Sequence, residues 1–245
     1  MPARGVIVTR PEPGLSETLA AVQQAGWLAH ASPSLHIVAR QMPAVARTVS
    51  AVLVTSGQAV PAVQGVVPPD MPFYAVGART AARLRQVGFA AVQSADGNAE
   101  ALAHVLCQHR TPAQGALMVL SGRGQGGELV HSLRGAGFRV IRRVVYDARP
   151  VSCIAPVVTT ALEGGQAAAV LFFSARSAAS WFAALPASAQ VAARAVRAVV
   201  ISPVVAQAVQ ALGWHGVVSV AASPDAAGMM AALGVYSGRG GAEPA

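Results

Sequence analysis

An α/β fold made of two similar parallel-sheet domains is what this sequence predicts, and three observations predict it. Short apolar runs alternate with helical segments of about ten residues along the chain, the pattern of parallel strands joined by helices. Phe73–Leu102 shows the unit clearly: a strand (Phe73–Val76), a Gly turn, a helix (Ala78–Val87) stopped by Gly88, a strand (Phe89–Gln93), then a helix from Asn98. The unit then returns. Gly77 and Gly88 align with Ser202 and Gly213, each pair 125 residues apart, and Val52–Val60 aligns with Val170–Ala178, with Ser56 and Ser174 separated by 118. Such spacings exceed the roughly 20–50 residues of a solenoid repeat and indicate two like halves.

In chain order, Gly5–Thr9 reads as a strand, Arg10–Gly14 as a turn and Leu15–Ala25 as a helix ended by Gly26. Leu15, Leu19 and Val22 supply its apolar stripe. Trp27–Ser32 is the next strand, Ser34–Ala39 an extended connector, and Met42–Val49 a helix. Ala51–Thr55 is a buried strand, and Ser56–Val63 opens another helix. Beyond the Asn98–His109 helix come a strand (Ala116–Leu120), a Gly-rich loop (Ser121–Gly127), a helix (Glu128–Gly135) and a long strand (Phe138–Tyr146). Pro156–Leu162 is helical, Ala169–Phe173 a strand and Ser174–Leu185 a helix. In the second copy Ser202 and Pro203 take the N-cap and first helical positions, and Gly213 stops the helix. The Gly-rich tail 237–245 has nothing to pack and is expected to be disordered.

With 53% hydrophobic and 11% charged residues in 245, the chain has ample core for two domains. The most apolar stretch, Val191–Leu212, is broken by Arg194, Arg197 and Pro203, so no membrane span is expected. The chain enters its first strand at Gly5 without a signal peptide, which points to a soluble cytoplasmic protein. The net charge is +8, and every basic side chain is Arg. Absence of Lys excludes Schiff-base and P-loop chemistry. Arginine also grips carboxylates through two parallel hydrogen bonds, which suits an acidic ligand. The arginines are dispersed and only 5% of residues are aromatic, so there is no basic stripe or stacking platform for nucleic acid. Cys107 and Cys153 form no CxxC pair and read as reduced, semi-buried thiols. The six His lack metal-ligand spacing, so no metal is expected.

Ligands of parallel sheets bind beyond the carboxyl ends of the strands. Here those ends are Thr9-Arg10, Thr55-Ser56, Gly77–Thr80, Ser121–Arg123, Ser174–Ser177 and Ser202–Val204. They gather hydroxyls, glycines and Arg, the makings of an anion-binding cleft, with no triad. Gly77 leads into a helix whose free N–H groups and positive end face outward, and Thr80 lies in its first turn. One motif points elsewhere. Gly122–Gly127 satisfies GxGxxG between strand and helix, and Asp147 ends the next strand, as in a dinucleotide-binding unit. The unit lies deep within its half, however, and Arg123 fits a small-anion loop equally well. An anionic substrate loop, a dinucleotide site and a plain tight turn are the three readings of this segment.

Several segments together resemble uroporphyrinogen-III synthase, a cofactor-free family of tetrapyrrole biosynthesis. They are Val8-Thr9-Arg10-Pro11, Thr55-Ser56 with Ala59-Val60, Val76-Gly77 with Thr80-Ala81, and Gly97-Asn98-Ala99-Glu100 with Leu102. Gly122 with Gly137, Val145-Tyr146, Phe173-Ser174, and Pro203 and Ala206 with Ala222-Ser223-Pro224 complete the set. The resemblance implies two Rossmann- or flavodoxin-like domains, 1–36 plus 150–236 and an inserted 37–149, joined by a two-stranded linker with the active site in the cleft between them. It implies a monomeric, cofactor-free lyase acting on hydroxymethylbilane, a linear tetrapyrrole rich in carboxylates, with transient contact to hydroxymethylbilane synthase. Loss of the terminal hydroxyl as water gives an azafulvene cation. Attack on the substituted carbon of ring D then yields a spiro intermediate, which rearranges to the inverted macrocycle. Without the enzyme the chain closes uninverted, so the protein's task is to fold the substrate.

Carried over to this sequence, the resemblance makes Tyr146 the hydrogen-bond donor or general acid for the departing hydroxyl. Thr80 becomes a carboxylate contact, and Arg10, Ser56, Ser121, Gly122, Arg123, Ser174, Ser177 and Ser202 further substrate contacts. Two departures stand out. The family's usual Gly-Pro-Thr-Thr-Ala is Ser202-Pro203-Val204-Val205-Ala206 here, and its frequent Arg-Gly is Ser121-Gly122, with Arg123 one step beyond. A non-catalytic bilobed anion- or tetrapyrrole-binding relative is the alternative these departures leave.

Overall fold

The computed structural model describes residues 4–237, so the tail expected to be disordered lies outside the described residues except for Ser237. Eleven strands form two sheets among those residues. β1 (Gly5–Val8), β2 (Leu28–Ala31), β9 (Ala167–Phe172), β10 (Arg197–Val200) and β11 (Val218–Val220) make one, in the order β11-β10-β9-β1-β2. The other holds β3 (Leu35–Ala39), β4 (Val49–Val54), β5 (Phe73–Ala75), β6 (Val92–Ser94), β7 (Ala116–Gly122) and β8 (Val140–Pro150), in the order β3-β8-β7-β4-β5-β6. The chain divides into two compact units, 4–36 with 149–237 and 37–148, and passes between them within β3 and again within β8.

All the pairings among β1, β2 and β9–β11, and all those among β4–β8, are parallel. Numbered within its own unit, the first sheet runs 2-1-3-4-5 and the second, with its edge strand β3 left aside, 3-2-1-4-5, the two doubly wound orders. They superpose in order when β9 is matched with β4, β10 with β5, β11 with β6, β1 with β7 and β2 with β8. The second sheet is thus a circular permutation of the first. This explains the two repeats in the sequence, because β4 with β9 and β5 with β10 are the pairs that carry the recurrences. β3 joins the free edge of β8, with the Arg40 N–H bonded to the Val145 carbonyl and the Val151 N–H to the Ser34 carbonyl.

Each sheet is covered on both faces, and the two-residue period of a strand shows how. In the first sheet Ile7, Val170, Phe172, Ala198 and Val200 enter one core with Trp181 and Trp214. Their alternates Val6, Val8, Ala169, Leu171 and Val199 enter the opposite one with Val22 and Met229. Trp181 is fully buried and donates its indole N–H to the Ser32 hydroxyl at 2.8 Å. The second sheet splits in the same way. Val52, Val54, Phe73, Ala75, Met118 and Leu120 face one side, and Ala51, Leu53, Tyr74, Leu117 and Val119 the other. Burying a side chain of this size contributes roughly 1.5–3 kcal/mol, which is why near-continuous apolar runs form these strands.

The covering helices are α1 (Gly14–Gln24), α2 (Ala78–Gln86), α3 (Ala99–His109), α4 (Gly127–Gly135), α5 (Pro156–Glu163), α6 (Ala175–Ala183), α7 (Ala187–Ala195), α8 (Pro203–Ala211) and α9 (Ala226–Leu233). Asn98 caps α3 by accepting from the Glu100 and Ala101 N–H groups, and Ser174 caps α6 by accepting from Ser177 N–H. Such a cap is worth about 1 kcal/mol. Ser202 holds the N-cap position of α8 with Pro203 at the first turn, but its side chain makes no capping bond.

Several sequence expectations are corrected. Met42–Val49 is not a helix. Met42 and Val45 pack against the core, and Val49, which completes their helical spacing, is instead the first residue of β4. Ser56–Val63 is a 3-10 segment over Gly57–Ala62 containing Pro61, which cannot donate the bond an α-helix needs. The strand expected at Phe89–Gln93 forms at Val92–Ser94, because Phe89 turns inward against Phe73, their ring centroids 4.4 Å apart. Ser121 and Gly122 belong to β7, not to the loop that follows. Cys107 and Cys153 are free but exposed, not semi-buried.

Candidate functional site

In a doubly wound sheet the crevice lies where the strand order reverses. The reversal falls between β1 and β9 in one unit and between β4 and β7 in the other. The groups that leave those strand ends define a site in each unit.

At the β1/β9 reversal, buried Thr9 donates its hydroxyl to the Leu171 carbonyl at 2.7 Å, tying the two strand ends together. Arg10, the next residue, lays its guanidinium over the Phe173 ring, 4.3 Å from the centroid, and reaches Thr18 Oγ1 at 3.3 Å. Any side chain on Gly14 would collide with that guanidinium. Arg10 is therefore held in a slot between a glycine and an aromatic face. Ser174 donates to Ser177 Oγ at 2.9 Å, and Ser177 itself is only 3% exposed. Ser202 is half-buried at the end of β10, and Val204 is 67% exposed where the family pattern has a Thr.

At the β4/β7 reversal, half-buried Ser56 accepts from the Gln58 N–H at 3.3 Å, and Gly57 leaves room that the Arg83 guanidinium occupies. Gly77 begins α2 in extended conformation without a side-chain cap, and its Cβ position faces open space. Half-buried Thr80 stands in the first turn, where no acid is present, and its hydroxyl has no hydrogen-bond partner among the described residues. The N–H groups and hydroxyl there suit an anion.

β8 supplies the rest. A register shift between Ser121 and Gly122 sets Gly122 opposite Tyr146. A Cβ on Gly122 would come within 2.6 Å of the Tyr146 ring, so the absent side chain is what lets the ring in. The Tyr146 hydroxyl donates to Gln125 Oε1 at 2.8 Å, and the residue is 2% exposed. Two turns of the Gly-rich segment need left-handed backbone, with φ +73° at Gly124 and +77° at Gly126, which places Gln125 back over the phenol. Ser121 is fully buried and accepts from Arg142 Nε at 3.2 Å, an internal bond and not an outward-facing contact.

Asp147 is 7% exposed yet meets two cations. Arg123 Nε donates to its Oδ1 at 2.9 Å, and Arg40 approaches both carboxylate oxygens at 3.3 Å. The Arg123 hydrogen bond is the main cause holding the Asp147 carboxyl below its ordinary value, and the charges of Arg123 and Arg40 add to it against the opposing effect of burial. These facts count against a dinucleotide at Gly122–Gly127. The gap at the first glycine holds a tyrosine ring, and the acid expected to bind a ribose is engaged by two arginines.

Sequence reasoning singled out Tyr146, Gly122 and Arg123, which lie together, and Ser56 and Thr80, which lie on neighbouring strand ends of the same unit. Arg10, Ser174, Ser177 and Ser202 belong to the other. It missed Gln125, Arg40 and the ion-pairing role of Asp147. The only signal available was the acid placed just after the expected strand Phe138–Tyr146, although β8 in fact runs on through Asp147 to Pro150, and partners 107 residues apart are not visible as a motif. Among the described residues, no group of three or more His, Cys, Asp or Glu could hold a metal ion, and no helix is long and apolar enough to cross a membrane.

The family model for uroporphyrinogen-III synthase HemD matches residues 16–231. None of the curated proteins compared with the chain matches it by sequence. Among solved structures, uroporphyrinogen-III synthetase from Helicobacter pylori is similar at a TM-score of 0.62 and 14% identity, over 92% of this chain and 96% of that one. A mutant uroporphyrinogen III synthase from the extremely thermophilic bacterium Thermus thermophilus is similar at a TM-score of 0.53 and 19% identity, over 93% and 96% of the two chains. At these identities the likeness speaks for the fold.

Proposed function

We propose that this chain, which belongs to the uroporphyrinogen-III synthase family, closes hydroxymethylbilane to uroporphyrinogen III with loss of water and inversion of ring D. The observation that carries the reading is the family match, which runs through both units and takes in every proposed site residue except Arg10. The protein is a cyclising lyase on this reading, working as a cytoplasmic monomer without a cofactor and in transient contact with hydroxymethylbilane synthase.

Tyr146 is the proposed proton donor. Its phenol already donates a hydrogen bond at 2.8 Å, and in the reaction it turns that proton from Gln125 to the terminal hydroxyl of the substrate. The carbon–oxygen bond breaks and water leaves, and the azafulvene cation forms. The substituted carbon of ring D attacks that cation, the spiro intermediate opens and recloses, and the proton finally lost from ring D restores the phenol by way of solvent. Burial of the phenol keeps bulk water from competing with the substrate hydroxyl.

The carboxylates of the substrate are bound, on this reading, by Arg123 and Thr80 with the open first turn of α2 and Ser56, and by Arg10, Ser174 and Ser202 in the other unit. Gly122, Ser121 and Ser177 act indirectly. Gly122 seats the tyrosine, while the buried hydroxyls of Ser121 and Ser177 fix their neighbours. Domain limits of 1–36 plus 150–236 and 37–149 are proposed with this assignment.

The test uses hydroxymethylbilane made in place from porphobilinogen and its deaminase, followed by oxidation and separation of the porphyrin isomers. An excess of the type III isomer over the enzyme-free control is expected. Type I alone would defeat the reading and favour a non-catalytic binder.

A further inference from the structure

The β3-β8-β7 ribbon arranges two arginines around one carboxylate by backbone register alone. Val145 accepts the backbone N–H of Arg40, from beyond the end of β3, and Tyr146 accepts that of Arg123, from beyond the end of β7. Asp147, the next residue on the strand between them, takes both guanidiniums on its side chain. The two arginines are thus fixed on either side of Asp147, one from each flanking strand. Their side chains are 41% and 65% exposed, whereas that of Asp147 is 10% exposed.

The charge of this trio does not cancel. One carboxylate meets two guanidiniums and leaves one net positive charge. Arg123 spends its Nε–H on Asp147, and Arg40 spends NH1, so each retains N–H donors that can face solvent. A guanidinium already oriented by a buried acid loses less freedom when it grips a second anion, and two parallel N–H donors match a carboxylate. A phosphate dianion would also be attracted here, but the site reading already calls for a ligand bearing several carboxylates.

We propose that Arg40 and Arg123, held by Asp147, form a carboxylate-binding fork for one acidic side chain of the tetrapyrrole, with Asp147 as the positioning residue. The assignment rests on the reading under "Proposed function" for the identity of its ligand, not for its existence. Its consequence is kinetic: the fork grips a carboxylate whose charge does not change in the reaction, and not the bond that breaks, so its loss raises KM more than it lowers kcat.

Arg40→Gln, Asp147→Asn and the wild type are compared in the isomer assay, and by fluorescence titration with uroporphyrin I, an octacarboxylate, and coproporphyrin I, a tetracarboxylate. Loss of one charge-assisted contact corresponds to about a tenfold change. Arg40→Gln is expected to raise KM and the uroporphyrin Kd by about that factor, with kcat within about threefold and a smaller change toward coproporphyrin. Asp147→Asn is expected to act in the same direction although it removes a negative charge, which would tighten anion binding if long-range charge alone mattered. Unchanged KM and Kd in Arg40→Gln, or tighter binding by Asp147→Asn, overturns the fork while leaving the proposed function intact. A wild type that makes no type III isomer but binds uroporphyrin in an Arg40-dependent way retains the fork and removes the function. Because Arg40 is half-exposed, its replacement tests the proposal even if Asp147→Asn fails to fold.

Discussion

The ring of Tyr146 occupies the space in which a side chain on Gly122 would have to stand, its Cε2 2.6 Å from the Cβ position of that glycine. A glycine that looks, in sequence, like the start of a phosphate-binding fingerprint is therefore the seat of an aromatic donor.

Replacing it should be costly. In Gly122→Ala the added methyl must push the Tyr146 ring out of a packed core and away from Gln125. Overpacking of this kind destabilises by about 1–3 kcal/mol. A lower midpoint in denaturant unfolding and a loss of type III isomer are expected together. An alanine variant as stable and as active as the wild type would show that the ring has another place to go.

Tyr146→Phe separates packing from chemistry. The ring stays, but Gln125 Oε1 loses its donor at a half-buried position, at a cost of about 1 kcal/mol. Turnover should fall by about a hundredfold, in the range attributed to a positioned proton donor. A variant with full turnover would remove Tyr146 from the proposed chemistry.

Acid should probe the Asp147 trio. The carboxyl lies below its ordinary value of 3.8 because Arg123 donates to it, and the positive charges of Arg123 and Arg40 hold it there. A depressed folded-state value means the unfolded chain binds the proton first as pH falls. The stability due to this pairing is thus whole well above pH 3.8 and fades as pH drops through the lower folded-state value. In Asp147→Asn that stretch of the acid profile should flatten relative to the wild type, with the neutral-pH difference constant. Parallel profiles across the acid range would contradict the pairing.

The alternation of strands and helices was legible because each strand is buried on both faces and each helix is punctuated. Gly88 and Gly213 adopt φ +99° and +79°, as their stop positions require. α7 was not legible. Its buried positions are Ala189 and Ala193, four apart but too small to register as an apolar stripe. The site was half legible. Tyr146, Gly122 and Arg123 stand in recognisable local segments, whereas Gln125 and Arg40 acquire their roles only through contacts made by the tertiary fold. Ser121 misled because a hydroxyl near a strand end can point either way, and this one points inward to Arg142.

The permuted order of the two sheets has a consequence for biosynthesis. Residues 37–148 leave the ribosome as one uninterrupted stretch, and every strand that pairs with β4 and β7 begins within it. β1 has no such fortune: its neighbour β9 begins only at Ala167. The amino-terminal hairpin of strand and helix must wait, incompletely covered, while the middle of the chain is made and folded. The last unit to become whole is the one whose first strand was synthesised earliest.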